Sequence, residues 1–337
     1  MRFLDLKAVF QHRRRRRRDA VRLAPVGELK AIGDLRARHL VAVRQPLVLV
    51  SQVHRSGGTL LSRLLDGHPQ LYAIPHELGP LLPSGPVPLD PERAWELLYD
   101  SKLPNRLVRG LRQQRSSLNR DESRAELLLP PSLHRRLYDR VLRLEPPTRG
   151  RDMLDAYLTA YFNGWLNYRG ELDSAKAWVA GFESELILYP RRLEQFRALY
   201  PDGRLISIVR EPASWYASAR LWDERYAEIG PALAYWERSV RATEQFADLV
   251  LDFDRLVGET ETTMRAVAEF LDIQFDDALL RPTVNGTPFG ANSSFESEGR
   301  GVVQATTGRG DLLRDSERRE IERLARDTYE RVRAVAA

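Results

Sequence analysis

The chain is 337 residues long and 43% hydrophobic, enough for one large α/β domain or two smaller ones. It contains no cysteine, which excludes disulfides, thiolate metal sites and a cysteine nucleophile, and which points to the cytoplasm. The net charge of +5 is unevenly spread: residues 1–44 hold eleven Arg and two Lys against Asp5, Asp19, Glu28 and Asp34, a local +9 that leaves −4 for the rest.

Residues 1–44 therefore read as a basic N-terminal extension to a single domain spanning 45–337. The unbroken run Arg13 to Arg18 suits nucleic acid or anionic lipid, and equally suits a solvated chain end. Phe3, Leu4, Leu6, Val9 and Phe10 add an apolar flank, so residues 1–20 are the candidate for peripheral contact with an anionic membrane. No run reaches the roughly 18–20 apolar residues of a membrane span, and no signal-peptide pattern opens the chain.

The stretch Pro46 to Glu77 carries most of the information. Leu47 to Val50 is a short apolar, β-branched run that fits a central parallel strand covered on both faces. Val53-His54-Arg55-Ser56-Gly57-Gly58-Thr59 then breaks it with two glycines and two hydroxyls, and Leu60, Leu61, Leu64 and Leu65 follow at helical spacing. A strand, a glycine turn and a helix start in that order form a nest of backbone N–H groups backed by the helix dipole, which holds a phosphate or sulfate. The Walker pattern would need a Lys where Gly58 stands, before Thr59, and the cation here is Arg55, on the strand side of the glycines.

Further on, Leu71 to Leu78 fits a second strand, Asp90-Pro91 a capped helix start, and the region to about Arg169 a helical insertion with three apolar faces. Inside it, Ser101 to Arg120 carries Lys102, Arg106, Arg109, Arg112, Arg115 and Arg120 and no acid. That segment reads as a solvated face or as a surface for an anionic partner. Ala177 to Phe182 reads as a strand and Tyr189-Pro190 opens a helix through Leu199. Arg204 to Arg210 is another buried strand, after which Glu211-Pro212 opens a helix carrying Ser218. A guanidinium at a strand end forks onto phosphate oxygens while a hydroxyl in the next helix closes over them. Leu249 to Asp254 fits a strand, Thr262 to Leu271 a helix, and Arg281 to Phe295 a long loop. From Leu313 onward the chain ends in a charged helix with Ile321, Leu324, Ala325, Thr328 and Val332 as its packing stripe.

Arg55-Ser56-Gly57-Gly58-Thr59-Leu60 with His68-Pro69 resembles the 5′-phosphosulfate loop of sulfotransferases, in the branch that includes tyrosylprotein and bacterial carbohydrate enzymes, with Gly58 in place of a Thr. Arg210 and Ser218 have the separation of that family's 3′-phosphate pair. The resemblance implies an α/β fold with a P-loop-type parallel sheet flanked by helices and a helical insertion, about 90–170, between the donor loops. It implies 3′-phosphoadenylyl sulfate as co-substrate, without a metal, and a saccharide, glycolipid or other hydroxyl (or amine) compound as acceptor. The donor would be held by Arg55, Ser56, Gly57, Gly58, Thr59, Leu60, Arg210 and Ser218. Ser294, in a stretch like the family's N-S-S-F, and Arg300, in Gly299-Arg300-Gly301 where the cytosolic branch has R-K-G, would close over it.

Glu77 is the implied base, His76 its alternative as a group that titrates near neutrality, and Arg55 would meet charge on the leaving phosphate. His68 fits a helix C-terminus better than a catalytic role. Two departures stand out: Phe182-Glu183-Ser184 replaces a Lys-x-Pro, and the Golgi members' membrane anchor has no counterpart, which suggests a bacterial, cytosolic enzyme. Two other readings stay open: a phosphotransferase using Mg-ATP, against which the missing Walker Lys speaks, and a nucleic-acid-binding protein acting through the arginine run, which leaves Arg210 and Ser218 unexplained. No specific nucleic acid is expected.

Overall fold

A computed structural model describes residues 26–78, 85–100, 129–289, 303 and 312–337, with the backbone alone at 26–29, 76, 77 and 100. The arginine run, the basic segment 101–120, Ser294 and Arg300 lie outside the described residues.

The centre is a parallel sheet of five strands: β1 (Leu47–Val50), β2 (Leu71–Glu77), β3 (Trp178–Phe182), β4 (Arg204–Val209) and β5 (Leu249–Asp252), in the order β2-β3-β1-β4-β5. β1 is in the middle because it has no polar side chain to keep in water. Leu47 and Leu49 face one apolar cluster, Val48 and Val50 the other, and none is more than 1% exposed. Each such burial contributes roughly 1.5–3 kcal/mol. Edge strand β2 pairs with β3 at Ala73–Ala180 and again at Glu77–Phe182. Two extra residues are therefore accommodated between those pairs, around Ile74-Pro75, where proline has no N–H to give the ladder.

Helices cover both faces. The first helices in chain order are α1 (Val26–Arg38), α2 (Gly58–Leu65), α3 (Pro91–Asp100), α4 (Pro131–Leu144) and α5 (Gly150–Gly164); α1, α3, α4 and α5 pack on the Leu47 and Leu49 face, and α2 packs on the other with Leu60, Leu61, Leu64 and Leu65. The Asp90 carboxylate caps α3, accepting from Arg93 N at 2.9 Å. Sequence periodicity gives α5 a single apolar face; in the fold it is buried all round from Met153 to Gly164, because α4 and the segment before β1 close over its outer side. Val41 N donates to Asn163 Oδ1 at 3.0 Å and Val43 N to Thr159 Oγ1 at 2.9 Å. Residues 41–44, counted with the basic extension, are thereby stitched to α5, and α1 packs on α4.

Among the described residues the remaining helices are α6 (Pro190–Leu199), α7 (Pro212–Ala219), α8 (Ile229–Phe246), α9 (Phe253–Gly258), α10 (Thr260–Phe270) and α11 (Asp315–Arg333). Three local expectations change. The strand expected to run through Asp254 stops at Asp252, whose carboxylate caps α9 by accepting from Arg255 N, a competing use that ends the ladder. The long loop at 281–295 includes a hairpin, β6 (Thr283–Val284) and β7 (Thr287–Pro288), closed by Asn285 at φ +52 and Gly286 at φ +68; Asn-Gly is the sequence that a type I′ turn requires. In α11, Leu324 is 40% exposed while Ile321, Ala325, Thr328 and Val332 are buried.

Candidate active site

The chain moves from β1 outward to β2, returns to β3 beside β1, then crosses to β4 on the other side. In an open parallel sheet the crevice outside the carboxyl ends at such a reversal is where ligands bind. Both glycine-loop and strand-end residues singled out from the sequence meet there.

Arg55 adopts φ +71 and Gly57 φ +110, and the Gly57 carbonyl accepts from Leu60 N at 2.9 Å and Leu61 N at 3.1 Å to start α2. Among the described residues, no protein oxygen accepts from the backbone N–H groups of Ser56, Gly57, Gly58 or Thr59, the orphan donors of a helix start. Ser56 Oγ and Gln52 Oε1 are likewise buried without a hydrogen-bond partner. Neither glycine has room for a side chain. A Cβ on Gly57 would stand 2.5 Å from the Phe253 ring, and one on Gly58 would stand 2.1 Å from Gln52 Nε2 and 2.4 Å from the Phe182 ring. Gly58 thus occupies the Walker lysine position for lack of space.

The two loops touch. Arg55 Nε donates to Ser218 Oγ at 3.2 Å, and Arg210 Nη1 donates to the Arg55 carbonyl at 3.2 Å, residues 163 and 155 positions apart respectively. Arg210 is 4% exposed and its guanidinium lies 4.5 Å from the centre of the Phe253 ring, the same ring that abuts Gly57. Trp236 Nε1 donates to Arg210 O at 3.2 Å and Trp215 Nε1 to His54 O at 2.8 Å, so α7 and α8 hold both loops from behind. Asp254 opens α9 nearby: burial, then Asp252 beside it, pushes its carboxyl up, and Arg210 pulls the other way.

Glu77 and His76 end β2, with Glu77 in register with Phe182, one strand removed from β1. His68 lies beyond α2, buried, its Nε2 2.9 Å from Gln274 O. Glu183, in the stretch that stands in place of a Lys-x-Pro, is buried and ion-paired with Arg192 of α6. Sequence reading missed a second cluster. His54 Nδ1 lies 2.6 Å from Glu185 Oε1, and Glu185, at φ +63, also takes the Tyr235 hydroxyl at 2.8 Å. Burial would raise the Glu185 carboxyl, but the His54 hydrogen bond and charge, with Tyr235 and Arg225, outweigh it and lower the group. His54 was legible as a loop residue; nothing in the sequence links it to Glu185, 131 positions away. Among the described residues no group of His, Asp and Glu could hold a metal ion, and no helix is long and apolar enough to cross a membrane.

Such a sheet, with a glycine loop opening a helix at its carboxyl edge and a strand-end arginine beside it, defines an α/β protein whose candidate site lies at the carboxyl ends of its central strands. Residues 46–277, well over half of the chain, match the sulfotransferase family, and the chain belongs to that family. No curated protein matches it in sequence. Among solved structures it is similar to the sulfotransferase domain from the olefin synthase of Synechococcus PCC 7002 (21% identity, TM-score 0.47, covering 71% of this chain and 78% of that one). It is also similar to a sulfotransferase from Alicyclobacillus acidocaldarius (15%, TM-score 0.43, covering 87% and 96%). A third similar structure is the sulfotransferase domain from the curacin biosynthetic pathway (15%, TM-score 0.42, covering 83% and 96%).

Proposed function

We propose that this sulfotransferase moves the sulfuryl group of 3′-phosphoadenylyl sulfate to a hydroxyl (or amine) of an acceptor, a saccharide or glycolipid. The observation that carries the donor assignment is the contact of the two loops, Arg55 Nε to Ser218 Oγ and Arg210 Nη1 to Arg55 O. A donor with phosphates at both its 5′ and 3′ positions needs two anion sites side by side on one rigid edge.

In this reading the N–H groups of Ser56 to Thr59 and the Ser56 and Thr59 hydroxyls hold the 5′-phosphate at the start of α2. Arg55 meets the charge that builds on the leaving phosphate. Arg210 and Ser218 hold the 3′-phosphate, the guanidinium by its fork and the hydroxyl as donor, and Ser294 and Arg300 close over the nucleotide. The reaction is an in-line displacement at sulfur that needs alignment and a base rather than a metal. The six cations of 101–120 favour an anionic saccharide as acceptor. The enzyme would work in the cytoplasm, with residues 1–20 touching anionic membrane.

A ligand that binds only the folded state raises the thermal midpoint. Titration with 3′,5′-ADP in the presence of a chelator is expected to raise it, and Mg-ATP is not. Stabilisation by Mg-ATP alone would replace the donor assignment with a nucleoside triphosphate.

A further inference from the structure

His54 precedes Arg55 in the loop, and its ring is the centre of a polar cluster drawn from separate parts of the chain. Glu185 Oε1 is 2.6 Å from Nδ1 and Ser184 Oγ is 3.2 Å from Nε2. Arg225 Nη2 stands 3.2 Å from Nδ1 and 3.8 Å from the same Glu185 oxygen. Tyr235 OH donates to that oxygen, and the Trp222 ring stacks on the imidazole with centroids 4.7 Å apart. Glu185 is 9% exposed and donates its own N–H to Gln52 O at 2.9 Å. The carboxylate is therefore anchored to the same segment that carries the imidazole.

A carboxylate on one ring nitrogen and a hydroxyl on the other is the arrangement by which an imidazole takes a proton from an alcohol. With Nδ1–H donating to Glu185, the lone pair is on Nε2, and the hydroxyl there donates to it. Resting on the sulfuryl-transfer reading, we infer that His54 is the general base of this site, oriented by Glu185 as a positioning residue. The acceptor hydroxyl takes the place at Nε2 that Ser184 Oγ holds.

In the step, the acceptor O–H proton passes to Nε2 as the acceptor oxygen bonds to sulfur. The bond from sulfur to the 5′-phosphate oxygen breaks, and its electron pair leaves with 3′,5′-ADP. The imidazolium so formed faces the Glu185 carboxylate, and the side chain, 19% exposed, returns the proton to water. Glu77 and His76 stand farther off: β3 separates β2 from β1, a sheet distance of roughly 10 Å, whereas His54 adjoins Arg55.

The test uses the full chain. His54→Gln is expected to bind 3′,5′-ADP within threefold of wild type. Its transfer of labelled sulfuryl from 3′-phosphoadenylyl sulfate to octyl glucoside or to water should fall on the order of 10²–10⁴-fold. Imidazole in the buffer is expected to restore part of the rate to His54→Ala, and Glu185→Gln to lower kcat while leaving the donor KM unchanged, which a fold defect would not do. A His54→Gln enzyme with wild-type turnover, above all beside a dead Glu77→Ala, overturns the inference and returns the base to the end of β2. Failure of the wild type to bind 3′,5′-ADP overturns the donor reading instead. Diethyl pyrocarbonate then reads the imidazole without donor or acceptor: a base open to the cleft is carbethoxylated within tenfold of the rate at exposed His39, and a His54 that stays unmodified overturns its assignment.

Discussion

Replacing Gly57 by alanine forces two costs on one position. The residue sits at φ +110, where an L side chain costs roughly 1–2 kcal/mol of backbone strain. Its Cβ would stand 2.5 Å from Phe253 Cδ2 and 2.9 Å from Cε2, so the ring must move, an overpacking cost of about 1–3 kcal/mol. The sum is about 2–5 kcal/mol. Unfolding entropy near 2.1 cal/mol/K per residue gives about 0.7 kcal/mol/K for this chain, hence a fall in thermal midpoint of about 3–7 °C. The shift does not stop at the ring, because Phe253 lies against the Arg210 guanidinium; affinity for 3′,5′-ADP should fall at least tenfold, read by calorimetry below the melting range. Gly230→Ala is the control: nothing lies within 4 Å of its added Cβ, and alanine in a helix adds up to about 1 kcal/mol. A Gly57→Ala protein melting within about 1 °C of wild type and binding 3′,5′-ADP normally would refute the argument that this glycine sets the distance between loop and Phe253.

Arg210→Lys keeps a positive charge but loses the fork and the Nη1 bond to the Arg55 carbonyl; 3′,5′-ADP binding measured by calorimetry is expected to weaken about ten- to a hundredfold, and unchanged affinity would remove Arg210 from the donor site. Asp155 on α5 is pushed up to about 6, by burial first, against the Tyr200 hydroxyl and Arg151 that lower it. A raised carboxyl favours the folded state when protonated, so that contribution is complete below about pH 4 and is lost as pH rises through about 6. Asp155→Asn should therefore be more stable than wild type in urea at pH 7.5 by on the order of 3 kcal/mol, with the gap closing as pH falls to about 4; a gap independent of pH would mean that the Asp155 carboxyl titrates in the folded protein as it does in the unfolded chain.

Much of the site is local chemistry and can be read in one dimension. Leu47 to Val50 has no polar side chain, Gly57-Gly58 precedes a leucine-spaced helix, and Arg210 is eight residues before Ser218. Each pattern fits only a few backbone states, so strand, turn and helix followed from the residues themselves. The Asp90 cap and the Asn285-Gly286 turn are signals of the same short range, although the second was spread over a longer loop than the hairpin it makes. Leu324 has the right helical spacing and is nonetheless exposed, because spacing names a face and only the neighbouring helix decides how wide the covered stripe is.

What the sequence leaves open is every relation that depends on which distant segments become neighbours. Strand order places β3 between β1 and β2, which puts one strand between Glu77 and β1 and brings Ser184 and Glu185 up beside His54. No periodicity encodes a hydrogen bond between His54 and Glu185 or between Arg55 and Ser218. Those pairs exist because the crossover from β3 to β4 straddles β1, bringing three strand ends to one crevice. The residue types of the glycine loop and of the strand-end arginine are therefore legible in the chain, while the identity of the groups set beside them is a property of the packed sheet.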